Sequence, residues 1–247
     1  FMAALAGLGG ETWFRLGDAD LAIHVERTRR LRAGEPLSRI IGDFAERLGV
    51  GAAIVPMSDD PVRTRVRTAT GWLDFQRYFV EQQCRPEVTE FSYDGAATAK
   101  PHPDFGGAIT HPELRAVVIC PSNPFISIEP ILAVPGVREA LRACAAPVVA
   151  VAPIVGGNSV KGPTAKMMRE LGLNVSAEIV AERYADFLDG YVVDDCDAAL
   201  IAELPVPAIA TTAVMVSLAD RERLATMTLN LADEISRRRS QAAVIKT

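Results

Sequence analysis

A chain of 247 residues with 49% hydrophobic content can bury a large core, and its four cysteines, far apart and without a Cys-x-x-Cys pair, are expected as reduced thiols rather than a disulfide framework. A formal charge of −5 with no lysine or arginine stripe argues against a nucleic-acid partner. No apolar run reaches the roughly 18–20 residues of a membrane span and no signal peptide is legible, so a cytoplasmic protein with no membrane partner is expected.

Phe1–Leu8 is already helical in pattern and closes at Gly9-Gly10, so the numbering is expected to begin inside a longer polypeptide. Glu11–Leu16 reads as a short strand. Asp18 or Asp20 is a candidate cap for a helix over Leu21–Ala33, and Ser38 for a helix over Arg39–Leu48. The arginines at 27, 29 and 30, like those at 237–239, read as solvated helix faces. Ala52–Met57 is a strand candidate, and the alternation of Val62–Thr68, a turn at Ala69-Thr70-Gly71 and Trp72–Phe75 predict a hairpin with one wet face. Phe75–Cys84 reads as helical, Arg85–Tyr93 as extended, and Asp94–Pro112 as a loop or broken helix.

From there the rhythm is regular. Strands are expected at Ala116–Cys120, Val148–Ala152, Tyr191–Val193 and Ala208–Thr211, with helices at Val137–Cys144, Thr164–Leu171, Ala177–Phe187, Ala198–Glu203 and Asp220–Arg238. Such alternation predicts an α/β fold whose parallel strands are covered by helices on both faces.

Two loops follow neighbouring strands, at the carboxyl ends where open α/β sheets hold ligands. In Gly156-Gly157-Asn158-Ser159-Val160-Lys161-Gly162, glycines would let amides approach a phosphate, the next helix would add its dipole and Lys161 a full charge. The sequence is neither a Walker A loop nor a dinucleotide fingerprint, and a plain loop-to-helix turn is the other reading. In the first loop two prolines bracket Ser122 and Asn123, with Ser127 just beyond; rigid recognition of a ligand edge and simple turn-making both fit. Asp18 and Asp20 could offer oxygen ligands to Mg²⁺, or cap a helix and face solvent. Asp194, Asp195 and Asp197 read as a loop. His24, His102 and His111 are isolated, and no nucleophile elbow is present, so neither a histidine metal site nor nucleophilic catalysis is expected.

Trp13-Phe14-Arg15-Leu16-Gly17-Asp18-Ala19-Asp20-Leu21-Ala22 resembles the Trp-Phe-x-Leu-Gly-Asp-x-Asp-Leu-Ala region of the CofD family, the 2-phospho-L-lactate transferases of coenzyme F-420 biosynthesis and their bacterial phosphoenolpyruvyl counterparts. Pro121-Ser122-Asn123-Pro124-Phe125-Ile126-Ser127-Ile128-Glu129-Pro130-Ile131-Leu132 is similar to the family's Pro-Ser-Asn-Pro-x-x-Ser-Ile-x-Pro-Ile-Leu, and Pro153–Lys166 to its Pro-Ile-(Val/Ile)-x-Gly-(x)₃-(Lys/Ser)-Gly loop.

The resemblance implies a Rossmann-like parallel sheet with helices on both faces and a smaller inserted α+β subdomain. Residues 1–247 would form one CofD-like domain lacking the family's opening strand and its Gly-Gly-x-Gly loop. The insertion would occupy 52–112 and the core 113–247.

It also implies a homodimer that moves a phospholactyl or phosphoenolpyruvyl group from a guanosine-diphosphate-activated donor to the deazaflavin Fo, releasing GMP and using Mg²⁺. Gly156, Gly157, Lys161 and Gly162 would meet the donor phosphates, Ser122, Asn123 and Ser127 the nucleotide or Fo edge, and Asp18 and Asp20 a substrate. No catalytic residue or metal ligand carries over. A regulatory nucleotide-binding relative of the same fold is the competing reading.

Overall fold

In the computed structural model, which describes residues 1–245, helix α1 (Met2–Gly7) ends where Gly9 adopts φ +77°, a left-handed cap that costs glycine no Cβ clash. Glu11–Leu16 is irregular rather than a strand. Among the described residues no strand pairs with it, and Trp13 instead donates to Glu11 at 3.0 Å and packs under Arg77, whose Cζ lies 4.7 Å from the indole centroid.

Helix α2 (Asp18–Arg32) starts earlier than expected. Gly17 takes the capping position, so Asp18 and Asp20 both fall inside the first turn and neither caps the helix. Helix α3 (Leu37–Arg47) follows Pro36, which has no side-chain acceptor to offer. Asp59 supplies it from outside, accepting from the Ser38 amide at 2.7 Å and the Ser38 hydroxyl at 2.8 Å, so Ser38 is capped rather than capping. Arg30, expected in solvent, is buried. It donates to Glu35 at 3.0 Å and to Asp43 at 2.6 Å, tying α2 to α3, because one guanidinium fork can satisfy two carboxylates.

Ala52–Met57 forms no strand; the Met57 carbonyl accepts the His102 N–H at 2.8 Å. The hairpin is as expected. β1 (Arg63–Thr68) pairs antiparallel with β2 (Gly71–Asp74) and, on its other edge, with β3 (Glu90–Asp94). A single π-helical turn, Arg77–Glu81, separates β2 from β3, and α4 (Pro103–Ile109) ends the stretch read as a broken helix. The chain forms two units, Phe1–Phe105 and a second beginning at Gly106, so the 52–112 segment falls mainly in the first.

The second unit holds the expected parallel sheet. Its strands β4 (Val117–Ile119) and β5 (Val148–Val151) bracket a π-helical turn at Pro124–Ile128, α5 (Glu129–Leu132) and α6 (Val137–Arg142). A small hairpin follows, β6 (Ile154–Val155) and β7 (Asn158–Ser159), then α7 (Thr164–Glu170), α8 (Ala177–Glu182) and β8 (Gly190–Val193). Asp195–Glu203 is a 3₁₀ helix instead of the expected α-helix, and leads to β9 (Ala208–Ala210) and the long α9 (Leu218–Ile245).

The order is β4-β5-β8-β9, all parallel, with Val118 opposite Val149, Ala150 opposite Tyr191 and Val192 opposite Ile209. Every residue of β5 and β8 is buried, as a sheet covered on both faces requires. Val149, Val151 and Val192 pack on Leu224, Leu231, Ala232 and Ile235 of α9. Gly190 lets that helix come close: a Cβ there would lie 2.7 Å from Ile235 Cδ1.

Candidate functional site

Four strand ends meet on one edge of this sheet, since parallel strands present all their carboxyl ends together. After β4 comes Pro121–Ser127, and Asn123 shapes it. Its Oδ1 accepts the amides of Phe125 at 2.9 Å and Ile126 at 3.3 Å, capping the π-helical turn, while Nδ2 donates to the Met167 thioether at 3.3 Å. The second bond ties this loop to α7, which follows the glycine loop. Ser122 is half-buried and Ser127 exposed. Neither hydroxyl has a protein partner among the described residues, so both remain able to meet a ligand.

After β5, Gly156 and Gly157 take φ +55° and +71°, the two left-handed positions of a type I′ hairpin turn between β6 and β7. The glycines thus serve a turn first. The Gly156 amide donates to Asp197 Oδ2 at 2.9 Å and is not turned to a free anion site. Ser159 staples the rest, donating to the Gly162 carbonyl at 3.0 Å. Lys161 is exposed and forms no ion pair among the described residues, whereas Lys166 pairs with Glu170 one turn along α7.

After β8 stand Asp194, Asp195 and Asp197, expected as a plain loop. Asp194 is buried and accepts the Ala213 amide at 2.8 Å and the Cys196 amide at 3.1 Å. Burial alone would raise its pKa, but the Ala213 amide, the Cys196 thiol and the Cys196 and Val214 amides together outweigh it and hold the carboxyl below the ordinary range. Asp195 accepts from the Thr212 hydroxyl at 2.8 Å. The three aspartates therefore link the ends of β5, β8 and β9. Three carboxylates in four residues directly after an apolar strand were the available signal. The exposed Cys196 thiol is pushed up to about 11, chiefly by its hydrogen bond to Asp194, so it is a poor nucleophile at neutral pH.

Asp18 and Asp20 lie in the first unit, in the opening turn of α2. Two residues apart on a helix they face different directions, so they do not form a chelating pair. Among the described residues no three His, Cys, Asp or Glu side chains gather around a metal-sized point. At the strand ends each aspartate already spends an oxygen on an amide or hydroxyl. These residues do not fit an all-protein magnesium cage. A groove of about 750 Å³ in the second unit, lined by Ile209, Met227, Asn230, Leu231 and Arg237, runs along β9 and α9 rather than over the strand ends.

A family model described as "2-phospho-L-lactate transferase CofD" matches residues 5–234. The chain belongs to the CofD family. This CofD-family chain is 40% identical over 237 residues to a phosphoenolpyruvate transferase of Kitasatospora aureofaciens, covering 93% of the chain and 73% of that protein. It is 35% identical over 225 residues to a 2-phospho-L-lactate transferase of Methanocaldococcus jannaschii, covering 90% and 71%. Among solved structures, a UPF0052-family protein from Bacillus halodurans superposes with a TM-score of 0.48 at 16% identity, over 74% of this chain and 62% of that one. The family assigns the CofD chain a transferase role in F-420 biosynthesis. Among the described residues no helix is long and apolar enough to cross a membrane.

Proposed function

We propose that the chain transfers a phospholactyl or phosphoenolpyruvyl group from a guanosine-diphosphate-activated donor to the deazaflavin Fo, acting as a cytoplasmic homodimer. The Fo ribityl oxygen bonds to the phosphorus that bears the acyl unit. The bond from that phosphorus to the bridging oxygen breaks, GMP leaves with the electron pair, and the hydroxyl proton is released. The observation that carries this reading is the family match over residues 5–234, with relatives of both transferase kinds at 35–40% identity.

The strand-end edge supports it. Lys161, free of ion pairs among the described residues, is suited to the donor's diphosphate, and Ser122, Asn123 and Ser127 to the edge of the guanine or the deazaflavin. Gly156, Gly157 and Gly162 would shape the loop that carries the lysine. Asp18 and Asp20 would orient a substrate in the first unit. Mg²⁺ would travel chiefly on the diphosphate oxygens and water, a mode that asks for only one or two protein carboxylates.

Calorimetric titration of the purified protein with Fo, with and without GDP and Mg²⁺, beside Lys161→Ala, tests the proposal. Fo binding, with GDP affinity lowered about tenfold by the substitution, is expected, the order of magnitude of one charge-assisted contact. GDP binding without Fo binding would replace the transferase reading with that of a regulatory nucleotide binder. Light scattering checks the dimer.

A further inference from the structure

Gly156 and Asp197 are 41 residues apart in sequence, and their 2.9 Å bond joins the turn after β5 to the segment after β8. A two-residue type I′ turn closes through its flanking residues, so the amide of its first central residue is left over. Here that amide would be a ready donor for a phosphate, yet a carboxylate has it. Asp197 stands on a fixed stretch of backbone. It sits in the first turn of the 3₁₀ helix Asp195–Glu203, its own amide donates to the Asp194 carbonyl at 2.9 Å, and Asp194 caps the same turn while holding the Ala213 amide after β9.

The exposed turn makes ordinary van der Waals contact with the segment after β8. A Cβ on Gly156 would lie 3.6 Å from Cys196 Sγ. Tyr191 in β8 is wholly buried, its hydroxyl has no hydrogen-bond partner among the described residues, and the Asp197 charge acts on it. The phenol therefore does not share Asp197 with the turn.

We infer that Asp197 is a positioning residue for the transfer proposed above: it fixes the Gly156-Gly157 turn, and with it the Asn158–Gly162 segment bearing Lys161, against the ends of β5 and β8. The inference rests on that reading for its kinetic consequence alone. Its structural core is the Gly156–Asp197 bond. The rival role is a placeholder, a carboxylate that occupies an anion position until the donor's phosphate displaces it.

Asp197→Ala and Asp197→Asn separate these roles, because asparagine keeps an oxygen acceptor for Gly156 and loses the charge. Amide hydrogen exchange at Gly156, GDP affinity and steady-state kinetics would be measured on all three proteins. We expect the alanine variant to exchange about tenfold faster at Gly156, with KM for the donor raised about tenfold and KM for Fo unchanged, and the asparagine variant to recover most of both, as one lost hydrogen bond to a charged group predicts. Tighter GDP binding in both variants would establish the placeholder and overturn the brace. Equal losses toward donor and Fo, or a fall in thermal midpoint with unaltered kinetics, would overturn it in favour of a general folding role. If the unsubstituted protein transfers nothing to Fo, the function reading falls while hydrogen exchange and GDP affinity still decide the brace.

Discussion

Arg183 lies over Phe125, its Cζ 4.8 Å from the ring centroid, and donates to Glu129 at 3.1 Å. A residue at the end of α8 thereby clamps the π-helical turn that carries the Pro-Ser-Asn-Pro motif. Cation–π stacking and one ion pair, both partly screened, are together worth about 1–2 kcal/mol. Arg183→Ala is expected to lower the unfolding free energy by that amount in urea titration. Arg183→Lys should fall between, since an ammonium keeps the ion pair and loses the flat stack.

Asn123 has two duties that substitution can part. Asn123→Ala removes the cap over Phe125 and Ile126 and is expected to cost about 1–2 kcal/mol. Asn123→Asp keeps a capping oxygen and should cost less than half as much, although it loses the donor to Met167. If the aspartate variant folds normally but loses nucleotide or Fo binding in calorimetry, Asn123 also reads a ligand.

The left-handed turn makes a third expectation. Gly156→Ala and Gly157→Ala each place a Cβ at positive φ and should destabilise by about 1–2 kcal/mol. Gly157→Asn should be milder than Gly157→Ala, because asparagine tolerates this conformation. Thermal unfolding of the three proteins checks the order.

Tyr191→Phe deletes a buried hydroxyl with no hydrogen-bond partner among the described residues. Stability is expected to hold or to rise by about 1 kcal/mol, since an unmade hydrogen bond costs desolvation and returns nothing. A measured loss of that size would mean the hydroxyl is bonded in solution.

Acid should loosen the second unit through Asp186. Its hydrogen bond from Arg138 at 2.6 Å, aided by Arg142 and opposed by burial, brings the carboxyl from 3.8 to about 2. A carboxyl whose pKa is lower in the folded state stabilises above its unfolded value and loses that contribution as pH falls through the folded one. The unfolding midpoint should stay level down to about pH 5 and drop between about pH 4 and pH 2, and Asp186→Asn should flatten part of the drop.

By itself the sequence determined the four strands of the parallel sheet, the Val62–Phe75 hairpin and the family. A short β-branched apolar run such as Val148–Val151, set between helical patterns, fits a strand covered on both faces, and the Trp13–Ala22 and Pro121–Leu132 motifs are local strings that need no partner to be read. It was wrong wherever a distant group took over a local role. Ser38 looked like a cap until Asp59 occupied it, Arg30 looked solvated until Glu35 and Asp43 buried it, and Glu11–Leu16 looked extended although among the described residues no strand comes to pair with it. Gly156-Gly157 pointed to a phosphate cradle ahead of a plain loop-to-helix turn, and the structure makes them the centre of a hairpin turn. Tertiary structure alone decided that the Gly156 amide goes to Asp197, because a left-over amide takes whatever acceptor the neighbouring strand end presents, and that acceptor lies 41 residues further along the chain.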